Sequence, residues 1–172
     1  MYLILIIFVF LMAVTFVWAG YKAAPWVPTR KGDVERFLRL ADIKPGDKMY
    51  DLGCGDGRLT AVSAKAGALA IGFEISLFPY FMAKIRSLFL KSRIADGKYE
   101  IRFQDFWKAD LSDADIVYFF LMPKVYPKLK QKFEKELKKG SKIIAYVWPI
   151  DGWQAVKIDK QNKKPDIYLY QR

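Results

Sequence analysis

The 172-residue chain contains no histidine and a single cysteine, Cys54. Without imidazole there is no Ser–His or Cys–His nucleophile pair and no histidine-ligated metal. A lone thiol forms neither an internal disulfide nor a cysteine-rich zinc site, so no metal is expected. The missing disulfide fits an intracellular, reducing compartment. Charge is absent from one end only. Residues 1–20 carry no charged side chain, so the formal net charge of +11 falls on residues 21–172. A surface that basic favours anionic partners, whether lipid headgroups, nucleic acid or an acidic protein face.

What the first twenty residues do have is apolar surface. "MYLILIIFVFLMAVTFVWAG" is unbroken hydrophobic sequence, and as a helix it rises about 30 Å, the thickness of a hydrocarbon core. Trp18 stands where an interfacial aromatic belongs, and Lys22, Arg30 and Lys31 follow it. A cleaved signal peptide and a buried core helix are the competing readings. No Lys or Arg precedes the run, however, and it is longer than a signal core. The expectation is a transmembrane anchor over 1–20, a linker over 21–32 and a catalytic domain over 33–172. Basic residues on the carboxyl side of the span place that domain in the cytoplasm and the N-terminus outside.

Beyond the linker, hydrophobic periodicity alternates between helix and strand. The spacing predicts a short amphipathic helix over 33–41, a strand over 48–54 entering a glycine-rich turn, and a helix stopped by Gly67. A strand over 69–75, an aromatic and basic helix over 78–93 and a strand over 99–105 follow. Then come a buried strand over 115–121, a lysine-rich helix over 124–139, a strand over 142–148 and a closing hairpin. This order predicts an α/β fold, a Rossmann-like, seven-stranded, mostly parallel sheet with helices on both faces and an antiparallel C-terminal hairpin. Ligands of such sheets sit at the carboxyl ends of the strands, near the switch in strand order.

The turn "DLGCGDGRL" (51–59) lies at that place. Glycine allows positive φ and close backbone approach, and the strand-to-helix turn exposes amide donors. Gly53, Gly55 and Gly57 read G-x-G-x-G, with Arg58 where a dinucleotide fingerprint has its third glycine, and no Gly-Lys-Ser/Thr marks a phosphate loop. Asp51 and Asp56 would repel a pyrophosphate but suit a cationic ligand. A sulfonium bearing an amino-acid tail, as in S-adenosylmethionine, presents two positive groups and one carboxylate, and an acidic loop with free amides answers all three. Glu74, at the end of the next strand, is placed to accept both hydroxyls of a ribose. Asp105, after the third, is placed to accept from an adenine amino group, with Phe106 beside the ring. Asp51, Gly53, Cys54, Gly55, Gly57, Glu74, Asp105 and Phe106 are thus the expected cofactor residues, with a nicotinamide dinucleotide as the competing ligand.

Over residues 31–172 the chain resembles the class I (seven-β-strand) S-adenosylmethionine-dependent methyltransferases, "DLGCGDG" matching their first motif and "GFE" (72–74) their ribose-binding acid. A further resemblance takes in "APWVPT" (24–29), "GFEIS", "QDFWKADLSDADIVYFFLMP" (104–123) and "GWQ" (152–154). These stretches are similar to the membrane-anchored protein-lysine methyltransferases, which join an apolar N-terminal segment to a short pre-domain motif and a compact catalytic domain. The resemblance implies that Trp26, Pro28 and Thr29 fold over the cofactor or the substrate channel, and Trp107 is a further channel candidate. Pro25 and Pro28 also read as stiffeners of a linker beneath a membrane. The Asn-Pro-Pro-Tyr of many amine methyltransferases is replaced by "LMP" (121–123), which disfavours an amide or adenine-amine substrate.

A lysine substrate must shed a proton from a reference pKa of about 10.4, which an aromatic-lined, desolvating pocket promotes. Trp26, Phe106, Trp107, Tyr118 and Trp148 are candidate walls, although Tyr118 and Trp148 also read as core. No general base stands out, since Asp110 and Asp113 read as solvated turn acids. From Lys124 to Lys142 eight lysines face Glu134 and Glu136, a solvated helix face that beside a membrane also meets anionic headgroups. The expectation is a membrane-anchored methyltransferase acting on lysine in a membrane or membrane-associated protein. Three alternatives stand: a quinone-type lipid-soluble substrate, RNA, or an anchored cofactor-binding module without catalysis. Anchoring restricts the enzyme to what the membrane presents, which weighs against nucleic acid.

Overall fold

The computed structural model describes residues 2–90 and 99–172. Residues 2–22 form one unbroken helix, α1 (Tyr2–Lys22), and α2 (Lys31–Ala41) follows. The glycine turn joins β1 (Lys48–Leu52) to α3 (Arg58–Lys65), after which come β2 (Leu69–Glu74) and α4 (Leu77–Leu90). The expected helix over 78–93 thus begins at Leu77, and its last three positions lie outside the described residues. The chain continues through β3 (Tyr99–Phe103), β4 (Ile116–Phe119), α5 (Tyr126–Glu136) and β5 (Lys142–Tyr146), and closes with β6 (Lys157–Asp159) and β7 (Ile167–Gln171).

These strands form one seven-stranded sheet in the order β3-β2-β1-β4-β5-β7-β6. The five from β1 to β5 are parallel, and β7 and β6 run antiparallel at one edge. The period-2 rule divides the core in two. Along β4, Val117 and Phe119 point to the layer containing Leu129 and Phe133 of α5, while Ile116 and Tyr118 point to that containing Phe37 and Leu40 of α2. The strand order reverses between β1 and β4, so a crevice opens above their carboxyl ends.

Several expected elements are shorter than the hydrophobic runs suggested, for local reasons. The strand into Trp148 stops at Tyr146 because Val147 adopts φ 80°, a conformation that ends pairing and is costly for a β-branched residue. The lysine-rich helix loses its first residues to a 3-10 turn, Pro123–Val125, and its last because Leu137 is extended. Leu137 still joins the apolar stripe. The strand over 99–105 ends at Phe103, and Asp105 instead caps a 3-10 turn, Phe106–Lys108, by accepting from the Trp107 amide at 3.1 Å.

Arg36 of α2 is 1% exposed and ties the N-terminal half to the closing hairpin. Its guanidinium donates to Asp33 Oδ1 (2.9 Å), Asp159 Oδ1 (2.9 Å), and the carbonyls of Asp159 and Pro165 (both 2.8 Å). Tyr146 donates to the other oxygen of Asp33 at 2.6 Å. Removing one partner of such a network strands buried charge, so Arg36→Ala is expected to destabilise the fold by about 3–5 kcal/mol. Denaturant unfolding of the detergent-solubilised chain checks this, and a loss below about 1 kcal/mol would show the network to be no stronger than a surface pair.

Candidate active site

The crevice is built outward from the end of β1. Gly53 and Cys54 both donate their amides to the Phe73 carbonyl, at 3.0 and 2.9 Å, which stitches the glycine turn to β2. Gly55, at φ +56°, donates to Glu74 Oε2 at 2.9 Å, and Glu74 Oε1 accepts from the amides of Ile75 (2.9 Å) and Ser76 (2.8 Å). A carboxylate offers about four acceptor sites. Three are taken, and one is left for a hydroxyl. Burial raises the Glu74 pKa, and the three amides oppose that rise. Asp51 accepts from Thr60 Oγ1 at 2.9 Å and is otherwise enclosed; burial pushes its pKa up to about 7.

The loop's other carboxylate is not free, contrary to the expected repulsive pair. Arg58 grips Asp56 through Nε and Nη2 at 2.9 and 2.8 Å, and Arg86 of α4 adds a contact at 2.8 Å. Burial would raise the Asp56 pKa, but the two guanidiniums outweigh it and hold the carboxyl below its usual range. Uncompensated negative charge in the crevice therefore comes from Asp51 and Glu74.

The segment after α1 closes over this floor. A Cβ built on Gly55 would lie 2.5 Å from Nε1 of Trp26, so the indole rests directly on the turn. Trp26 meets Phe78 edge-on, with ring centroids 5.7 Å apart. The Thr29 and Tyr118 hydroxyls are hydrogen-bonded at 3.0 Å, and Arg58 donates to the Thr29 carbonyl at 2.7 Å. The resulting cleft is also lined by Ala19 of α1 and by Ala23 and Ala24 just after it.

Of the residues singled out from sequence, Trp26, Pro28, Thr29, Asp51 and Gly53 line this cleft, as do Cys54, Gly55, Glu74 and Phe106. The thiol of Cys54 is pushed far above its usual pKa by burial, which excludes a thiolate role. The others stand elsewhere. Gly57 is the N-cap of α3 and packs against Tyr99, Ala83 and Ile101. Asp105 turns to Lys22 Nζ at 3.2 Å, because the 3-10 turn that it caps directs its carboxyl away from the cleft. Trp107 is the middle residue of the same turn, with Lys128 Nζ 4.4 Å from its ring centroid. Trp148 packs on Phe120 at 6.0 Å and lines a separate groove beside α5. Asp113 accepts from Tyr50 and pairs with Lys48, and Asp110 caps the Ser112 amide at 2.9 Å. Tyr118 serves both core and cleft. Gln104 and Phe120 line the cleft as well; they follow the last paired residues of β3 and β4, and the rule placing ligands beyond strand ends would have found them.

The donor set fits S-adenosylmethionine. Two carboxylates without a cationic partner face a cleft roofed by aromatic surface, which suits a sulfonium, an ammonium and a ribose together.

The family described as the ANTKMT methyltransferase domain matches residues 51–157. A protein-lysine N-methyltransferase of Saccharolobus islandicus is 35% identical over 153 residues, covering 85% of this chain and 92% of that one. The adenine nucleotide translocase lysine N-methyltransferase of Mus musculus is 32% identical over 135 residues, 78% of this chain. The chain spans only 57% of the mouse protein's length in that match. Among solved structures, an RNA methyltransferase of Salinibacter ruber in complex with S-adenosylhomocysteine superposes with a TM-score of 0.77 and 31% identity, over 84% of this chain and 93% of its own.

Proposed function

Because the chain belongs to the ANTKMT methyltransferase-domain family, a class I methyltransferase whose methyl donor is S-adenosylmethionine, we propose that it methylates lysine side chains of a membrane or membrane-associated protein. The observation carrying this reading is the position of the cleft. Ala19, Ala23 and Ala24 line it together with Asp51 and Glu74, so the site sits where the chain leaves its 21-residue apolar helix, which is long enough to cross a bilayer. With α1 as a single span and the domain on the cytoplasmic side, a lysine projecting from a neighbouring membrane protein meets the cleft without leaving the surface. The archaeal and mouse relatives carry lysine-methyltransferase names, the mouse one for the adenine nucleotide translocase.

Bound S-adenosylmethionine supplies an already electrophilic methyl group. The chain's own task is to hold its ligands, align the amine and keep water out. Glu74 is assigned one ribose hydroxyl, the three amides on its carboxylate leaving no room for the pair, and Asp51 the cationic end. Trp26 covers the turn, and the Thr29–Tyr118 hydrogen bond anchors that covering segment to the sheet. Phe106, Phe120 and Trp26 present ring surface to the incoming side chain. Such walls disfavour the ammonium through desolvation, while ring faces recover part of that cost through cation–π attraction. Asp105 remains a proposed cofactor residue only if it exchanges its Lys22 partner for the ligand.

The likeness to an RNA methyltransferase favours RNA as the second reading, together with the lysine-rich face of α5. Transfer of labelled methyl from S-adenosylmethionine to membranes of the source cell separates the readings. A discrete, alkali-stable protein band that yields methyl-lysine on hydrolysis is the expected result. Label in RNA alone supports the second reading, and label in the lipid extract alone overturns both.

A further inference from the structure

α4 carries an apolar face that the fold leaves uncovered. Phe78, Phe81, Met82, Ile85, Leu88 and Phe89 recur at helical spacing, and they are 41–76% exposed. The opposite face is spoken for: Pro79 and Ala83 are buried, and Arg86 reaches the glycine turn. Six large apolar side chains along one stripe exceed the scattered exposure normal for a domain surface.

The neighbour of this face identifies its occupant. The Leu77 amide donates to Thr15 Oγ1 at 3.2 Å, and the rings of Phe81 and Phe8 lie 6.3 Å apart. α4 therefore runs antiparallel to α1, climbing as α1 descends. α1 is apolar on every side, so it has no polar face with which to lie on a surface. From Trp18, an exposed aromatic suited to the headgroup level, to Phe8 the helix climbs about 15 Å, half of a hydrocarbon core. The stretch of α1 flanked by α4 is thus the stretch inside the near leaflet. Cationic groups gather at the level of Trp18 and Tyr21: Lys22 lies over the Trp18 ring at 5.3 Å, and Lys124 donates to the Tyr21 carbonyl at 2.8 Å. That collar complements anionic headgroups.

We infer that the exposed face of α4 inserts into the near leaflet of the bilayer beside α1, so that the domain is seated in the lipid rather than tethered above it. The inference rests on α1 being a membrane anchor. Since α4 also holds Asp56 through Arg86, the helix in the lipid is the one that buttresses the glycine turn.

Spin labelling of the full chain in vesicles of mixed zwitterionic and anionic phospholipid tests it. Ile85→Cys and Phe89→Cys report α4, Phe10→Cys reports α1, and Ser112→Cys reports the solvent-facing loop; unsubstituted protein, with Cys54 buried, is the blank. Accessibility to apolar oxygen relative to a water-soluble nickel chelate is expected to be several-fold higher at 85, 89 and 10 than at 112. Nickel access at 85 and 89 with oxygen access at 10 overturns the inference and leaves the anchor standing. Nickel access at all four positions overturns both. Shielding of 85 and 89 from both reagents means that protein covers the face, and also overturns it.

Discussion

Gly55→Val is expected to abolish S-adenosylmethionine binding while leaving the domain folded. Two independent penalties meet at this position. The backbone takes φ +56°, where a β-branched residue is strained, at an order of 1–3 kcal/mol. The first side-chain carbon would also stand 2.5 Å from Trp26 Nε1 and 2.8 Å from Cδ1. The indole can yield, since it sits at the cleft mouth rather than in the core, so the clash expels Trp26 instead of unfolding the sheet. Strain in the turn would then shift the Gly55 amide from Glu74 Oε2, and with it the carboxylate expected to hold the ribose. Titration calorimetry should show at least a hundredfold loss of affinity, about 2.7 kcal/mol, with circular dichroism unchanged. Affinity within threefold of the parent would mean that the turn is only a turn.

The extent to which this architecture could be read from sequence follows from where the information lies. Strand β4 is a short apolar run bounded by turn residues, and α2 and α5 carry period-3.6 stripes, so much of the layer order was accessible from hydrophobicity. Gly53 and Gly55 were accessible because close backbone approach excludes side chains. Asp105 was harder. A strand-end acid and an N-capping acid look alike in sequence, and only the 3-10 turn after Phe103 shows that this carboxyl points towards Lys22. The Arg86 half of the Asp56 pairing was equally hidden, because Arg86 lies thirty residues away on a helix whose apolar face dominates its pattern. Phe120 and Gln104 carry no motif; their place beyond a strand end is positional information that the fold alone supplies. The exposure of the α4 face was also invisible, since an amphipathic helix normally turns such a stripe inward.

Asp51→Asn should make the protein more stable and a poorer methyl-donor binder, with both effects tied to pH. Burial raises the folded pKa of Asp51 from 3.8 to about 7. Between those two values the folded state holds a proton that the unfolded chain has released, so stability falls as pH rises through this window and the cost is complete above the folded value. At 1.36 kcal/mol per unit, a shift of that size corresponds to at most about 4 kcal/mol. Asparagine removes the charge but puts an NH2 with two donors where the carboxylate had an acceptor oxygen, and leaving that group unpaired subtracts about 1–3 kcal/mol. A net gain of at most about 1–3 kcal/mol at pH 8 remains, fading towards pH 5, where the folded-state aspartate is already neutral. Binding should follow the reverse course. Parent affinity for the cationic ligand is expected to fall as pH drops below about 7, because a neutral carboxyl attracts neither ammonium nor sulfonium. In the variant that dependence flattens at a uniformly weaker level. Unfolding curves and calorimetric titrations at pH 5, 7 and 8 decide the matter. A variant less stable than the parent at pH 8 would show that Asp51 is held by partners strong enough to offset its burial, and its charge would then be structural rather than reserved for the ligand.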